Sequence, residues 1–384
     1  MSELLKTPLS GWHIANGAKM AEFAGYSMPI NYPTGALKEI KAVRETAGLF
    51  DISHMRPIVV EGLSARSFLN YVDTRDLSLM KPGDALYGIV CNDSGEPIDD
   101  IIVYQDPFSE KERESFLVIS NASNGAQVHR HLCGVKKAFN LPDEHVKIED
   151  GLGQYGFLSL QGPNAEAILA EAIHLREAIP QKYYSCQYSL IFGYFALVAK
   201  TGYTGEAGFE ILCDKEVTLE IWTKLLEIGA PHGLISCGLA SRDTLRLEAG
   251  MPLFGHEMDT DHDPIMVGLG KYVNLDKPRY FLGKISLQNV LKGKSSKPRE
   301  YLHAFIMEKG RVPRHGDKLF LRGETNLKIG KLTSAGFSPT LEKNIAMGYA
   351  DRELAFGSEV LIEIGGKLYP ATVTKLPFYK RAKK

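Results

Sequence analysis

Apolar residues recur along this chain with two periods. A period near 3.6 marks helices. It appears at Leu37, Ile40 and Val43 with Arg44, ending near Gly48, and again over Ser64–Val72 and Asn124–Ala138. It returns at Val217, Ile221, Trp222 and Leu225, where Asp214 can cap, and over Gly238–Gly250. A helix also follows Gly162–Pro163, and Trp12 to Phe23 carries apolar residues at roughly helical spacing. Alternating or β-branched runs mark strands at Pro57–Val60, Leu86–Val90, Ile98–Tyr104, Phe116–Ser120, Tyr155–Leu160, Tyr188–Phe192 and Tyr194–Ala199. Phe23–Pro33 is broken by Gly25, Pro29 and Pro33 and reads as a loop or short strands. Antiparallel pairs interspersed with helices predict an α+β class. Leu291–Glu300 is charged, turn-rich and without periodicity, the clearest linker. Beyond it the chain is strand-rich, with a hairpin at Leu361–Tyr369 turning on Gly365–Gly366. An all-β C-terminal domain is expected from about residue 295.

One strand carries chemistry. Ile98–Tyr104 follows the turn formers Asn92–Gly95 and holds Asp99 and Asp100 side by side. Side chains alternate along a strand, so Asp100 shares a face with Ile102 and Tyr104, and Asp99 with Ile101 and Val103. One carboxylate can enter an apolar pocket while its neighbour stays solvated. Burial would raise the pKa of the first and make a positioned acid or base. The plainer expectation is two turn carboxylates facing water.

Composition narrows the field. The 384 residues, enough for two or three domains, hold 45 Lys plus Arg against 46 Asp plus Glu, a net charge of -1. There is no bulk basic charge for a nucleic acid, and no apolar run nears the ~20 residues of a membrane helix. Cys91, Cys133, Cys186, Cys213 and Cys237 are odd in number and widely spaced, which suits free thiols in a reducing compartment. A cytoplasmic location is expected, with no signal peptide.

The glycine-rich stretch Thr201–Glu210 has Gly202, Gly205 and Gly208 but neither G-x-G-x-x-G nor a P-loop. Its backbone can approach a flat ligand, on which Tyr203 can stack. Glu210 interrupts the apolar Phe209, Ile211 and Leu212; buried, it would want a cation or an N–H-rich heterocycle, and the alternative is a solvent-facing side chain. Arg242 and Arg246 lie four apart, placed either for helix ion pairs or for bidentate capture of a carboxylate. His256 and His262 are six apart, the wrong spacing for H-E-x-x-H, so no metal is expected.

Taken in order, Phe23–Pro29, Ala47–Met55, Ile98–Tyr104, Gln161–Pro163, Thr201–Glu210, Cys237–Gly250 and Ser338–Leu341 resemble the T-protein family of the glycine cleavage system. The resemblance runs from Thr7 to Arg381. It implies a tetrahydrofolate-dependent aminomethyltransferase that takes an aminomethyl group from the lipoyl arm of a partner H-protein. The carbon passes to tetrahydrofolate, with release of ammonia and the reduced arm. It implies no metal, no nucleic acid and no membrane. By resemblance Asp100 is the catalytic carboxylate, Glu210 and Arg242 bind the folate, and Tyr203, Tyr87, Asn121, Ile119 and Met55 line the cavity. Tyr379 and Arg381 fall near the positions that close it. The implied fold is a three-domain cloverleaf: residues 1–50 with 140–285, residues 51–139, and a β-barrel over 295–384. Tyr26, Arg56, Glu96–Pro97 and Ser241 depart from the residues usual in that family. A folate-dependent demethylase acting on a small methyl donor would share these motifs. The related iron–sulfur assembly factors carry K-G-C-[YF]-x-G-Q-E, where Leu275–Lys284 here has neither Cys nor Gln-Glu.

Overall fold

The computed structural model describes residues 3–294 and 298–382. The architecture is α+β, with two larger sheets, one small sheet and a closed C-terminal barrel. The first large sheet has six strands in the order Cys186–Ile191, Tyr194–Ala199, Gly208–Asp214, Tyr155–Gln161, Ala47–Asp51 and Leu234–Cys237. The second has five, in the order Ala85–Cys91, Pro97–Gln105, Glu114–Ser120, Arg56–Gly62 and Lys147–Asp150. Its last strand pairs with Arg56–Gly62 and so lies past the boundary expected at residue 139.

Each large sheet buries one face under helices. The period-2 pattern sends Phe209, Ile211 and Cys213 into a core with Ile221, Trp222 and Leu225, the stripe of helix Thr218–Gly229. Likewise Ile101 and Val103 meet Phe68, Leu69 and Val72 of helix Ala65–Val72. The opposite faces of the two sheets meet each other: Phe50, Phe157, Leu197 and Leu212 pack with Ala85, Tyr104 and Ile119. Every odd–even choice along these strands therefore decides whether a side chain enters a helix-covered core or the seam between the sheets.

The barrel runs Tyr301–Met307, Lys343–Ala350, Glu324–Ser338, Lys318–Leu321, Glu359–Ile364 and Lys367–Thr374, and closes on itself, which removes exposed sheet edges. Gly365 and Gly366, both at positive φ, make the predicted hairpin turn. The centre of the predicted linker, residues 295–297, lies outside the described residues. The helical spacing over Trp12–Phe23 holds only for Ser10–Ala15. Gly17, at φ 72°, breaks it, and Lys19–Phe23 becomes a strand paired with Tyr26–Asn31. Asp214 caps a 3-10 turn at Lys215–Val217, its carboxylate accepting from the Glu216 N–H, and the long helix starts after it.

Candidate active site

The seam between the sheets is mostly apolar, and several of the polar side chains singled out above gather at one place in it. There a cavity of about 150 Å³ opens among both sheets, the glycine-rich loop and helix Leu239–Glu248. Eight of the residues singled out in the sequence line it: Met55, Tyr87, Asp100, Ile119, Asn121, Tyr203, Glu210 and Arg242.

Asp99 and Asp100 sit on the strand Pro97–Gln105 and point to opposite faces. Asp100 faces the cavity. Its Oδ2 accepts from the Tyr87 hydroxyl at 3.0 Å and its Oδ1 from Asn121 Nδ2 at 2.9 Å. The expectation that Asp99 stays solvated is wrong: it is fully buried. It accepts from the Asn121 backbone N–H at 2.8 Å, from Asn121 Nδ2 at 2.8 Å and from Asn124 Nδ2 at 2.9 Å. Asn121 thus bridges the two carboxylates. Burial raises the pKa of both, and the neighbouring Asp100 charge pushes Asp99 further up. Burial, then the Asp100 charge, raises Tyr87 well above its usual value, so its hydroxyl stays a donor.

Glu210 enters the seam because Phe209 and Ile211 take the other face of their strand. It is 6% exposed, which excludes the solvent-facing alternative. Its Oε2 accepts from the Thr201 hydroxyl at 2.6 Å and, more weakly, from Tyr104 at 3.4 Å. Burial raises its pKa, opposed by the Thr201 bond and the Arg242 charge. Arg242 is held over the Tyr203 ring, 5.1 Å from its centre, and its Nη1 is buried with no hydrogen-bond partner among the described residues. A guanidinium is costly to leave so, and an acceptor from a bound molecule would satisfy it. The Tyr203 hydroxyl is fixed by the Pro252 carbonyl at 2.5 Å.

The glycines of the loop have a different use from phosphate binding. A Cβ at Gly202 or Gly208 would strike the Gln161 amide. That amide donates to the Thr201 carbonyl at 3.2 Å and accepts from Thr204 at 2.9 Å, locking the loop against the sheet.

Arg246, one turn beyond Arg242, does not reach the cavity. It binds Glu257 at 3.0 Å and Ser334 of the barrel at 2.8 Å. Tyr379 does not line the cavity either. It stacks on Arg44, 4.1 Å from ring centre to guanidinium, and Arg44 in turn binds Glu206 and Glu248. Arg381 is also outside the lining, close enough to Tyr183 for its charge to act there. His256 is taken up near Ser334, and His262 by Asp259 and Glu300. Among the departures, Glu96 accepts from Asn92 Nδ2 at 2.8 Å and Arg56 pairs with Asp150.

Sequence reasoning missed Thr201, Tyr184 and Tyr272. Thr201 opens the same motif that ends in Glu210 and was open to inspection. Tyr184 and Tyr272 line the cavity from irregular segments that carry no period.

Comparison with known proteins places this geometry. Residues 9–277 match the family model described as the GCVT N-terminal domain, and residues 301–380 match the glycine cleavage T-protein C-terminal barrel domain. The chain belongs to the glycine cleavage T-protein family. It is 39% identical over 384 residues to an aminomethyltransferase of Streptomyces coelicolor, covering 100% of this chain and 99% of that one. It is 39% identical to an aminomethyltransferase of Desulforamulus reducens, over 99% of this chain and all of the other. A crystal structure of the glycine cleavage system aminomethyltransferase T of Bartonella henselae superposes with a TM-score of 0.85 at 32% identity, covering 98% of each chain. The activity is accordingly that of an aminomethyltransferase of glycine cleavage.

Proposed function

We propose that the cavity holds the pterin end of tetrahydrofolate and receives the aminomethyl carbon from the lipoyl arm of a lipoylated H-protein. Glu210 accepts from pterin N–H groups, and Arg242 supplies a donor to a pterin acceptor. Tyr203 presents its face to the ring. Asp100, fixed by Tyr87 and Asn121, stands beside the nitrogens that take up the carbon. Ile119 and Met55 keep water out. The chain supplies orientation and a preset carboxylate in a dry site, and these act without a covalent enzyme intermediate. Two folate nitrogens bond the carbon as its bonds to sulfur and to nitrogen break, and the two protons those folate nitrogens lose leave on ammonia and on the lipoyl thiol.

The observation that carries this reading is the convergence on one buried cavity of Asp100, Glu210 and Arg242, whose Nη1 has no hydrogen-bond partner among the described residues. Among the described residues no helix is long and apolar enough to cross a membrane, and all five cysteines are free. The free thiols support a cytoplasmic setting. The test is turnover with purified components. Aminomethylated H-protein plus tetrahydrofolate should yield ammonia and methylenetetrahydrofolate in equal amounts. Faster turnover of a small N-methylated amine, with no ammonia from the loaded carrier, would establish the demethylase reading instead.

A further inference from the structure

His256 and His262 stand at a spacing that forms no metal motif, and the fold separates them: His262 turns to Asp259 and Glu300. It gives His256 another partner. His315, on the turn before the barrel strand Lys318–Leu321, brings its ring centre to 5.3 Å from that of His256, with 58° between the planes. On one tetrahedral ion about 2.0–2.1 Å from each nitrogen, two imidazole ring centres stand about 5.2 Å apart.

Rings in ordinary contact can stand that far apart as well, and the tautomers decide more. His315 Nδ1 is 2.6 Å from the Thr333 carbonyl oxygen. A carbonyl only accepts, so Nδ1 carries the proton and Nε2 of the neutral ring keeps a bare lone pair. His256 Nδ1 is 3.2 Å from Ser334 Oγ, which already accepts from Arg246 at 2.8 Å and has a second lone pair for an N–H. Donation there leaves the Nε2 of His256 bare too. Neither Nε2 has a hydrogen-bond partner among the described residues. Each ring is thus held by its Nδ1, the arrangement that orients metal-ligating histidines. The two holders are neighbours in sequence, and the strand Glu324–Ser338 is bulged at them, its register with Lys343–Ala350 shifting between Leu332 and Ser334. Bulges of this kind re-aim side chains. The turn that carries His315 is closed by Asp317, which accepts from the Arg314 N–H at 2.8 Å.

Charge favours a cation here. Arg246 is outnumbered by Asp243 and Glu257, which bind it at 2.7 and 3.0 Å. Burial, then the Arg246 charge, holds His256 below its usual pKa, so its ring is neutral at neutral pH. We propose that His256 and His315 bind one divalent transition-metal ion, of the zinc class that paired imidazoles suit, across the joint between the cavity-wall loop and the barrel. Among the described residues no group of three or more His, Cys, Asp or Glu is placed to hold an ion, so water fills the remaining positions. The ion acts on the joint. Leu253, on the same loop as His256, is cavity wall, and a zinc bridge adds a tie between that wall and the barrel. It takes no part in the chemistry.

The experiment is calorimetric titration of zinc chloride into untagged, chelator-treated full-length protein as wild type, His256→Gln, His315→Gln and the double variant. The wild type should take up one ion per chain, and each single variant should bind it at least about tenfold more weakly. Cobalt(II) in place of zinc should give the intense visible bands of tetrahedral coordination in the wild type and lose them in both single variants. Zinc should raise the melting temperature of the wild type and leave that of the double variant unchanged. His315 is on the surface, so His315→Gln carries the test even if His256→Gln folds poorly. No uptake by the wild type overturns the proposal. So does uptake undiminished in the double variant, which would place the ion elsewhere.

Discussion

Asp100→Asn separates chemistry from architecture at this site. The substitution is isosteric. The asparagine carbonyl can take the place of Oδ1 and keep the 2.9 Å bond from Asn121. Its amide then faces the Tyr87 oxygen, 3.0 Å from the present Oδ2, and donates where the carboxylate accepted. Both partners stay satisfied, so the folding cost is held to about 1 kcal/mol. The change also removes the like charge that drives Asp99 up, a small gain at neutral pH. The catalytic cost is larger. A positioned acid or base contributes about 10²–10⁴ in rate, or roughly 3–5 kcal/mol of barrier. The expected result is a kcat lowered by about that factor, a folate dissociation constant within a few-fold of wild type and a melting temperature lowered by no more than about 4 °C. Asp99→Asn is the contrast. An amide there meets the Asn121 backbone N–H or the two side-chain amides, donor against donor, and leaves about 1–3 kcal/mol of buried unsatisfied polarity. It should lower the melting temperature and lose activity through a displaced Asn121. A fully folded Asp100→Asn enzyme that keeps more than about a tenth of wild-type kcat would refute the role assigned to this carboxylate.

Other changes test the supports. Glu210→Gln trades a charged acceptor for a neutral one and should weaken tetrahydrofolate about 10- to 100-fold, the worth of a charged hydrogen bond, read by calorimetric titration. Arg246→Met leaves the fully buried Glu257 uncompensated and should cost about 3–5 kcal/mol, seen as a melting temperature several degrees lower. Burial depresses the His54 pKa to about 4 from 6.5. The neutral ring therefore contributes stability that is complete above pH 6.5 and is lost as the pH falls through about 4. His54→Phe, which keeps the edge contacts to Phe23 and Tyr26, should flatten that acid loss by up to roughly 3 kcal/mol. Urea unfolding at pH 7 and pH 4.5 measures it, and equal losses in both proteins would remove His54 from the account.

What could be read from the chain beforehand follows the range of the signal. Strand alternation is local, and it correctly gave Asp100 the face of Ile102 and Tyr104. It says which way a side chain turns, and nothing about what waits on the other side. Asp99 was misjudged for that reason: the three N–H groups that allow its burial come from Asn121 and Asn124, past the next strand. Arg242 and Arg246 share a helix and a spacing, and only the fold sends one to the cavity and the other to the barrel. Tyr379, which the resemblance put near the positions that close the site, stacks its ring on Arg44.

The two arginine networks explain why a barrel none of whose described residues lines the cavity belongs to this enzyme. Glu257 holds the Leu253 N–H at 3.0 Å, and Arg246 holds the Met251 carbonyl at 3.2 Å. Met251, Pro252 and Leu253 are cavity wall, and the Pro252 carbonyl is what fixes Tyr203. Glu257 is itself pinned by Thr333 of the barrel at 2.6 Å, and its carbonyl accepts from Tyr349, also of the barrel, at 2.7 Å. On the other side Glu248 joins Arg44 to Ser338 and Thr340 at 2.5 and 2.9 Å. The last turn of helix Leu239–Glu248 and the loop after it are thereby tied to the barrel by buried, charge-assisted bonds. Arg242 lies one turn before those ties on the same helix, with a buried Nη1 that has no acceptor among the described residues. Left to a mobile helix, that group would swing toward water and lose its aim. The barrel's part in the site is to deny it that freedom, so the guanidinium keeps its donor for the co-substrate.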